Sequence, residues 1–300
     1  MIQRVSINFC LTCVTGHAYN CLIMNKLSTA ERAQIVSALV EGNSLRSVTR
    51  MTGFSINTVS KLLVDLGTVC AQAHDALVQN VNAKRIQLDE IWSFVGSKQK
   101  NVPEGKEGEY GDLWTWTAID ADTKLIISYV VGQRVTPNAF KLLWDVAARV
   151  TNECPQVSSD GLAWYAAAME EAMPMADFGV IVKKYAAEAT GRYSPANFVA
   201  AIKEVIKGTP NPRHISTSFV ERQNLTMRMS MRRFTRLTNG FSKKGANHAH
   251  AVAIHFMHYN FCRIHKTLRV TPAMEAGLAQ HPWTIEELVG LLEAAEKKAA

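Results

Sequence analysis

The chain has 300 residues, a net charge of +7 at neutral pH, and 47% hydrophobic and 20% charged residues. This composition is that of a folded globular protein, and it excludes disordered, fibrous and collagen-like chains. No apolar run approaches the roughly 18 residues that a membrane span requires. The longest run, residues 125–132, is short and strand-like. We therefore expect a soluble protein without a membrane partner.

The first 24 residues carry four potential zinc ligands, namely Cys10, Cys13, His17 and Cys21. The loops between them are tighter than in most tetrahedral zinc sites. A weak signal peptide is one alternative, and translated sequence upstream of a true start at Met24 is another. We favour the late start and treat residues 1–24 as a leader. The six scattered cysteines predict reduced thiols in a cytoplasmic, nucleoid-associated protein.

Three short helices are predicted after the leader. Ser28 and Glu31 have the spacing of a capping box, and the helix that they begin ends near residue 42. A second helix follows from Ser44 to Gly53, and Ser55 caps a third. The tight glycine-containing turn before the third helix is typical of a helix-turn-helix, which we assign to residues 25–70.

In a helix-turn-helix, the helix after the turn lies in the major groove of DNA. Asn57, Thr58 and Lys61 are the side chains of the third helix that would then reach bases and phosphates. A small structural three-helix bundle is the alternative interpretation of the same pattern.

The hydrophobic period changes to that of strands at residue 84. Strands are predicted at 85–95, 113–120, 124–132, 157–160 and 179–182, with helices beginning at Pro137 and after Gly161. Three antiparallel strands followed by alternating helices and strands predict a mixed α/β sheet. After a loop at 209–212 the chain is predicted to be helical almost to its end.

Three carboxylates in this layout point to a reaction. Asp89 lies in the first strand, Asp160 at the carboxyl end of a later strand, and Glu221 at the start of a helix. Ligand sites of open α/β sheets lie at the carboxyl ends of strands. Three converging acids can hold two hard divalent cations about 3.5–4 Å apart, which is the chemistry of phosphoryl transfer.

Each acid also has a purely structural interpretation. Glu90 follows Asp89, and because strand side chains alternate, one of the two points inward and the other away. Asp160 is placed to cap the following helix. Ser218 and Glu221 have the spacing of a second capping box.

Several motifs resemble the transposases of the bacterial insertion-sequence-one family. They are LDEIWSFV at 88–95, SDG at 159–161, VERQNLTMR at 220–228 and FSK at 241–243, and the Glu-Arg-x-Asn block is the most specific. YNFCRIH at 259–265 and the Thr-Pro pair at 271–272 resemble the tail of many integrase-like transposases. The spacing departs from the family, because Glu221 lies 61 positions after Asp160 (221 minus 160), which indicates an insertion at about 174–213.

The resemblance implies an RNase H-like catalytic core at 84–270, followed by a helical tail at 271–300. It further implies an Asp-Asp-Glu triad of Asp89, Asp160 and Glu221 that uses two Mg²⁺ or Mn²⁺ ions. One ion would activate the water that attacks a phosphodiester, and the other would stabilise the leaving oxygen. A freed 3′-hydroxyl would replace the water during strand transfer.

The basic residues are concentrated in one segment. Residues 213–269 contain eleven Lys and Arg and one acid, hence a charge of +10, and the rest of the chain carries −3. This distribution predicts a polyanionic partner, with a solvated helix face as the alternative. We assign Asn224, Arg228 and Arg232 to contacts with DNA.

Other residues of this segment suggest no chemistry of their own. The histidines His248, His250, His255 and His258 invite a zinc interpretation, but helix packing or DNA contact fits their spacing better. The apolar residues Met227, Met229, Met231 and Phe234 are expected to pack in the core.

The sequence thus predicts a transposase that binds double-stranded DNA at the ends of its element and target DNA, and that forms a homo-oligomer on DNA. Two alternatives stay open. One is a DNA-binding regulator or inactive remnant of a transposase, and the other is a nuclease with the same core that hydrolyses DNA without joining it.

Overall fold

The computed structural model describes residues 26–185, 198–235 and 238–299. The predicted leader and its candidate zinc ligands lie outside these residues. The strands are β1 (Arg85–Val95), β2 (Gly111–Asp120), β3 (Ile126–Gly132), β4 (Gln156–Asp160), β5 (Asp177–Tyr185) and β6 (Phe198–Lys207).

The prediction that the chain after residue 212 is helical almost to its end is wrong, because residues 238–244, 263–271 and 276–284 lie outside helices. The described helices begin close to the predicted starts where the sequence predicted one. They are α1 (Thr29–Val40), α2 (Leu45–Thr52), α3 (Ile56–Leu77), α4 (Thr136–Arg149), α5 (Ala163–Ala172), α6 (Ser218–Ser230), α7 (Gly245–Met257), α8 (Pro272–Glu275) and α9 (Ile285–Ala299). A π-helical turn, His258–Cys262, continues α7 into the segment that precedes α8.

In the described part of the chain the six strands form one mixed sheet in the order β3-β2-β1-β4-β5-β6. β1, β2 and β3 are antiparallel neighbours, whereas β4 runs parallel to β1 and β5 runs parallel to β4. The predicted mixed α/β sheet is therefore confirmed, and its strand order is compatible with an RNase H-like core.

The predicted insertion at 174–213 is built around a β-hairpin. β5 extends further than the strand predicted at 179–182, and β6, which the sequence pattern did not predict, pairs with it antiparallel at the sheet edge. An edge strand does not require apolar side chains on both of its faces, and Val199 and Val205 of β6 are exposed. The strand pattern is weak here because pairing of β6 with the sheet edge, rather than burial, determines its conformation.

Helices cover both faces of the sheet. α4 packs on β2 and β3 and against α5, whereas α6 packs on β1 and β2 from the other side. Each face has a buried apolar cluster, one containing Leu88 and Leu143 and the other containing Ile91 and Phe256. The central strand β1 therefore lies between two cores.

The amino-terminal helices pack on the same body. The predicted capping box at Ser28 and Glu31 is present, and Gly53 ends α2 in the left-handed conformation with φ of 79°. α3 lies along α7, where Gly67 allows close approach because a Cβ there would lie 2.4 Å from Cβ of His250. α9 packs against α1 and α3.

The division into units at 25–70, 84–270 and 271–300 stays a prediction, as does the assignment of the first unit to a helix-turn-helix. Among the described helices, none combines the length and apolar character needed to cross a membrane.

Candidate metal centre

The alternation of β1 sorts its side chains between two helical layers. Gln87, Asp89 and Ser93 face α6 and α7. There Gln87 contacts the backbone of α6, and the other two contact side chains of α6 and α7. Their neighbours along the strand face the opposite layer, since strand side chains point alternately to the two faces. One strand thus carries polar groups toward α6 and α7.

Three carboxylates converge where β4 ends. Oxygen atoms of Asp89, Glu90 and Asp160 all lie within 4.8 Å of one another. β1 and β4 pair in parallel at Gln87 and Ser158, so two residues further along each strand Asp89 and Asp160 are side by side. The structure therefore brings together two of the three predicted acids and adds Glu90 to them.

Asp89 and Glu90 leave β1 on opposite faces, as strand alternation predicts: Asp89 contacts Asn224 of α6, and Glu90 contacts Arg134. Both belong to the acidic group, although they start on opposite faces of β1. A carboxylate oxygen of each nevertheless lies within 4.8 Å of the other and of an oxygen of Asp160.

Asp89 is held by two hydrogen bonds. Its Oδ2 accepts from Nδ2 of Asn224 at 2.7 Å, and its Oδ1 accepts from the backbone N–H of Glu90 at 2.9 Å. Burial raises the pKa of Asp89 to about 7, and the charges of Glu90, Asp160 and Glu221 act in the same direction. Such a shift is typical of a buried carboxylate with further acids beside it.

Glu90 is the most enclosed member of the group, with a side chain that is 2% exposed. Its Oε2 pairs with Nη2 of Arg134 at 3.3 Å, and its buried Oε1 accepts no hydrogen bond of normal geometry in the described part of the chain. The fully buried Tyr165 hydroxyl lies close by, likewise without such a bond. Burial raises the pKa of Glu90 against the opposing influence of Tyr165 and Arg134.

Asp160 shapes the turn that follows β4. Its Oδ1 accepts from the backbone N–H of Leu162 at 3.1 Å, and Leu162, rather than Asp160, is the N-cap of α5. The helix-capping interpretation of Asp160 is therefore wrong, although the side chain does order the turn before the helix.

Glu221 lies on α6 outside the group of three, yet close enough to raise the pKa of Asp89. Its carboxylate accepts from Nζ of Lys183 on β5 and from the hydroxyl of Thr217. The N-cap of α6 is Thr217, so Ser218 is already helical and the predicted capping box at Ser218 and Glu221 is absent. Its predicted role as a metal ligand stays a prediction.

The start of α6 is attached to β1 by a single side chain. Oε1 of Gln87 accepts from the backbone N–H groups of Phe219 at 2.8 Å and Val220 at 3.2 Å. These donors have no partner within a helix, so a buried acceptor from the strand satisfies them. Together with the bond from Asn224 to Asp89, this fixes the helix that carries Glu221 relative to the acidic group.

The residues predicted to contact DNA fall into different environments. Asn57, Lys61 and Arg232 are exposed, and Lys61 pairs with Asp65 at 2.5 Å. The Thr58 hydroxyl is half-buried and shares a hydrogen bond with Ser55.

Two further predicted contacts lie on α6. Asn224 is buried and donates to Asp89, so it positions a carboxylate, and its predicted phosphate contact stays a prediction. Arg228, one turn further along α6, is half-buried.

Sequence reasoning missed three residues of the site, namely Arg134, Tyr165 and Lys183. They approach from the segment after β3, from α5 and from β5 respectively, so only the tertiary structure brings them to the acids. For Tyr165 a weak signal existed, since it lies about one helical turn beyond Asp160. The other two carry no local signal in the sequence.

The histidines of α7 are packing residues. The His248 ring shares a hydrogen bond of 2.8 Å with Oγ of Ser242, and Nε2 of His255 lies 3.4 Å from Nε2 of Gln223. Burial lowers the pKa of both imidazoles to about 3, so they are neutral near pH 7. Within the described residues neither belongs to a group of metal-ligating side chains.

No known protein family matches the chain, and no curated protein matches it. Among solved structures it is similar to a piggyBac transposase synaptic complex with hairpin DNA, determined by cryo-electron microscopy. The TM-score is 0.36 with 11% sequence identity, and the match covers 91% of this chain and 72% of that chain. Similarity at this level leaves the function to the chemistry of the site.

Proposed function

We propose that the chain is a DNA transposase of the Asp-Asp-Glu type, which cleaves phosphodiester bonds at the ends of an insertion sequence and joins them to target DNA. The observation that carries the proposal is the convergence of Asp89, Glu90 and Asp160 between the two central strands of the sheet, where β4 ends. The motif resemblance to insertion-sequence-one transposases supports the ends of an insertion sequence as the substrate. The concentration of positive charge at 213–269 supports a nucleic-acid partner.

The donor set fits Mg²⁺ or Mn²⁺. Both are hard cations that prefer carboxylate oxygens, and the acidic group offers three carboxylates with no nitrogen or sulfur ligand among them. Burial raises the pKa of Asp89, and the charges of the neighbouring acids raise it further. A cation would offset this effect, because it provides positive charge beside the Asp89 carboxylate.

Asp89 and Asp160 would hold one ion, and Glu221 would complete the set for the second. A bound cation supplies the Lewis acidity that activates an attacking oxygen and stabilises the leaving oxygen of a phosphodiester. The chain itself positions the acids: Asn224 orients Asp89, Arg134 orients Glu90, and Gln87 fixes the start of α6.

Glu221 needs a change of partner to join the site. Lys183 and Thr217 hold its carboxylate in the described structure. Both side chains of the Lys183–Glu221 pair are partly exposed, at 33% and 41%, so their separation is inexpensive. Lys183 released from Glu221 would lie beside the acids, where its ammonium group can contact a phosphate of the bound DNA.

The proposed substrate is double-stranded DNA at the element ends, followed by target DNA. Asn57, Thr58 and Lys61 on α3, with Arg228 and Arg232 after Glu221, are the proposed contacts to it. Because a transposase acts on two ends, we propose that the active form is a homo-oligomer assembled on DNA.

The proposal is tested by incubating the protein and Mg²⁺ with duplex DNA that contains the chain's own gene and its flanks. We expect nicks with 3′-hydroxyl ends at the element boundary. Asp89→Asn and Asp160→Asn should abolish these nicks while DNA binding persists, and Glu286→Gln, a matched change at an exposed position of α9, should leave them unchanged. Cleavage that survives in either Asp variant contradicts the proposal.

The same assay separates the alternatives. Binding without cleavage by the parent protein would indicate a DNA-binding regulator or an inactive remnant. Cleavage without joining to a second duplex would indicate a nuclease. Loss of cleavage in Glu90→Gln but not in Asp160→Asn would move the catalytic role to the buried glutamate.

A further inference from the structure

A deep groove lies between the amino-terminal helices and the segment that follows α6. Its volume is about 1000 Å³, and one wall comes from α2 and the start of α3. The opposite wall comes from the end of α6, from residues 231–233 and 238–244, and from α7. We call it the basic groove, defined by the cations that line it: Arg46, Arg50, Arg232, Arg233, Lys243 and Lys244.

The charge of the basic groove has one sign. Among the described residues that line it there are six Lys and Arg side chains and no Asp or Glu. Cations grouped around one cavity repel one another and raise the local concentration of anions. Arg46 and Arg50 on α2 and Arg232 on the opposite wall are exposed to solvent, so their charges are available to a ligand.

Arg233 is held in place without an acidic partner. Its Nη1 donates to Oγ of Ser242 at 3.0 Å, and Ser242 in turn bonds His248, which is neutral near pH 7. Among the described residues Arg233 forms no ion pair with a carboxylate. Neutral hydrogen-bond partners therefore orient this guanidinium and leave its charge uncompensated at the groove.

The start of α7 adds to the same positive field. Lys244 is the N-cap of this 13-residue helix, and no side chain caps the helix at this end. The first N–H groups of a helix carry partial positive charge and bind phosphate readily. Here they lie beside Lys243 and Lys244 in the groove wall.

A close backbone approach and a side-chain hydrogen bond connect the two walls. Gly42, with φ of 82°, lies so near the end of α6 that a Cβ would be 2.8 Å from the carbonyl oxygen of Met229. Nδ2 of Asn247 on α7 reaches Oγ of Ser60 on α3 at 3.5 Å. The groove is thus formed by packed elements on both sides.

We propose that the basic groove binds the phosphodiester backbone of duplex DNA next to the bond that the acidic group cleaves. α6 carries Glu221 near its start and ends at Ser230 in the groove wall, nine residues or about 14 Å away at 1.5 Å per residue. With about 3.4 Å per base pair along a strand, this corresponds to about four base pairs. The position of the groove relative to the cleaved bond rests on the proposed function. The binding of DNA in the groove does not.

Binding is tested by fluorescence anisotropy with a labelled duplex of about three helical turns, measured over a series of salt concentrations. Each phosphate contact contributes about 0.9 to the slope of log K against log salt. Arg46→Ala with Arg50→Ala should lower this slope by up to about 1.8 and weaken binding about tenfold. Both side chains are exposed on α2, so the fold should persist, and a thermal melt checks this.

Lys297→Ala with Lys298→Ala is the matched control, because it removes two exposed cations at the end of α9, outside the groove. It should leave the slope unchanged. Equal losses in the two double variants, or no loss in Arg46→Ala with Arg50→Ala, would overturn the proposal. Tighter binding of a single strand or a free nucleoside triphosphate than of the duplex would overturn the choice of partner.

The position is tested by ethylation of DNA phosphates. Phosphates whose modification blocks binding of the parent, but not of the Arg46→Ala, Arg50→Ala variant, should lie about four base pairs from the cleaved bond. If the protein never cleaves but the salt slope still depends on Arg46 and Arg50, the proposed function fails and the DNA groove stands. If cleavage occurs and the salt slope does not depend on Arg46 and Arg50, the groove assignment fails and the proposed function stands.

Discussion

Replacing Asp89 by asparagine should stabilise the protein when no divalent cation is present. The carboxyl has a pKa of about 7 in the folded chain and an ordinary value of 3.8. The folded state therefore holds a proton that the unfolded state has already released between these two values. The stabilising contribution of this group is fully present below pH 4 and is lost as the pH rises through 7.

The size of the effect follows from the shift. A difference of about three pKa units corresponds to roughly 4 kcal/mol of destabilisation above pH 7. The amide that replaces the carboxylate keeps one oxygen acceptor, whereas Asp89 accepts from both Asn224 and the Glu90 N–H, so one hydrogen bond worth about 1–1.5 kcal/mol is lost. We expect Asp89→Asn to raise the free energy of unfolding by about 2–3 kcal/mol at pH 8, and by much less at pH 5.

The assay is urea unfolding with a metal chelator at pH 5 and pH 8, followed by circular dichroism. Glu286→Gln is the control and should have little effect at either pH, because this side chain is exposed. Saturating Mg²⁺ should remove the advantage of the variant, since the cation stabilises only the chain that binds it. A variant that is less stable at pH 8, or equally changed at both values, would refute the reasoning.

Three further predictions concern α6. Gln87→Ala leaves the N–H groups of Phe219 and Val220 without their acceptor. It should lower the free energy of unfolding by about 2 kcal/mol and speed hydrogen exchange at these two amides, and unchanged exchange would contradict the attachment of α6 to β1. Lys183→Met should change stability by less than about 1 kcal/mol but strengthen Mn²⁺ binding measured by calorimetry, because it frees Glu221; unchanged affinity would argue against Glu221 as a ligand. Ser218→Ala should leave the stability measured by thermal unfolding nearly unchanged, whereas Ser28→Ala should lower it by about 1 kcal/mol, because of these two serines Ser28 caps a helix and Ser218 does not. Equal losses of stability in the two variants would contradict these cap assignments.

Local signals in the sequence were sufficient for much of the fold. β1 has the predicted bounds at 85–95, and the helix starts at Ser28, Ser44 and Ser55 are confirmed, because hydroxyl caps and the strand period are properties of a few adjacent residues. The edge strand β6 was not predicted, because its conformation depends on pairing with β5.

The same limit applies to packing on α6 and beyond. Met227, Met231 and Phe234 are buried as predicted, but Met229 is exposed, since its direction depends on which face of α6 meets the sheet. The sequence predicted that these residues lie on a helix. It did not predict which face of that helix packs against the sheet.

The candidate site was only half predictable for a related reason. The pairing of β1 with β4, which places Asp89 beside Asp160, was not predicted from the strand pattern, and the two acids were grouped by the chemistry of carboxylates and by the family resemblance. Glu90 joins the acidic group from the opposite face of β1, and the engagement of Glu221 depends on Lys183 from the hairpin that lengthens the chain between Asp160 and Glu221. Neither relation leaves a pattern in adjacent residues.

The central claim is that Asp89, Glu90 and Asp160 form a binding site for a divalent cation. The most direct measurement is the anomalous diffraction of Mn²⁺ in crystals of the protein grown with that ion. We predict a peak about 2.0–2.3 Å from carboxylate oxygens of Asp89 and Asp160, which disappears in Asp160→Asn. A crystal saturated with Mn²⁺ in which these carboxylates bind no ion, or in which the ion persists in Asp160→Asn, would contradict the account.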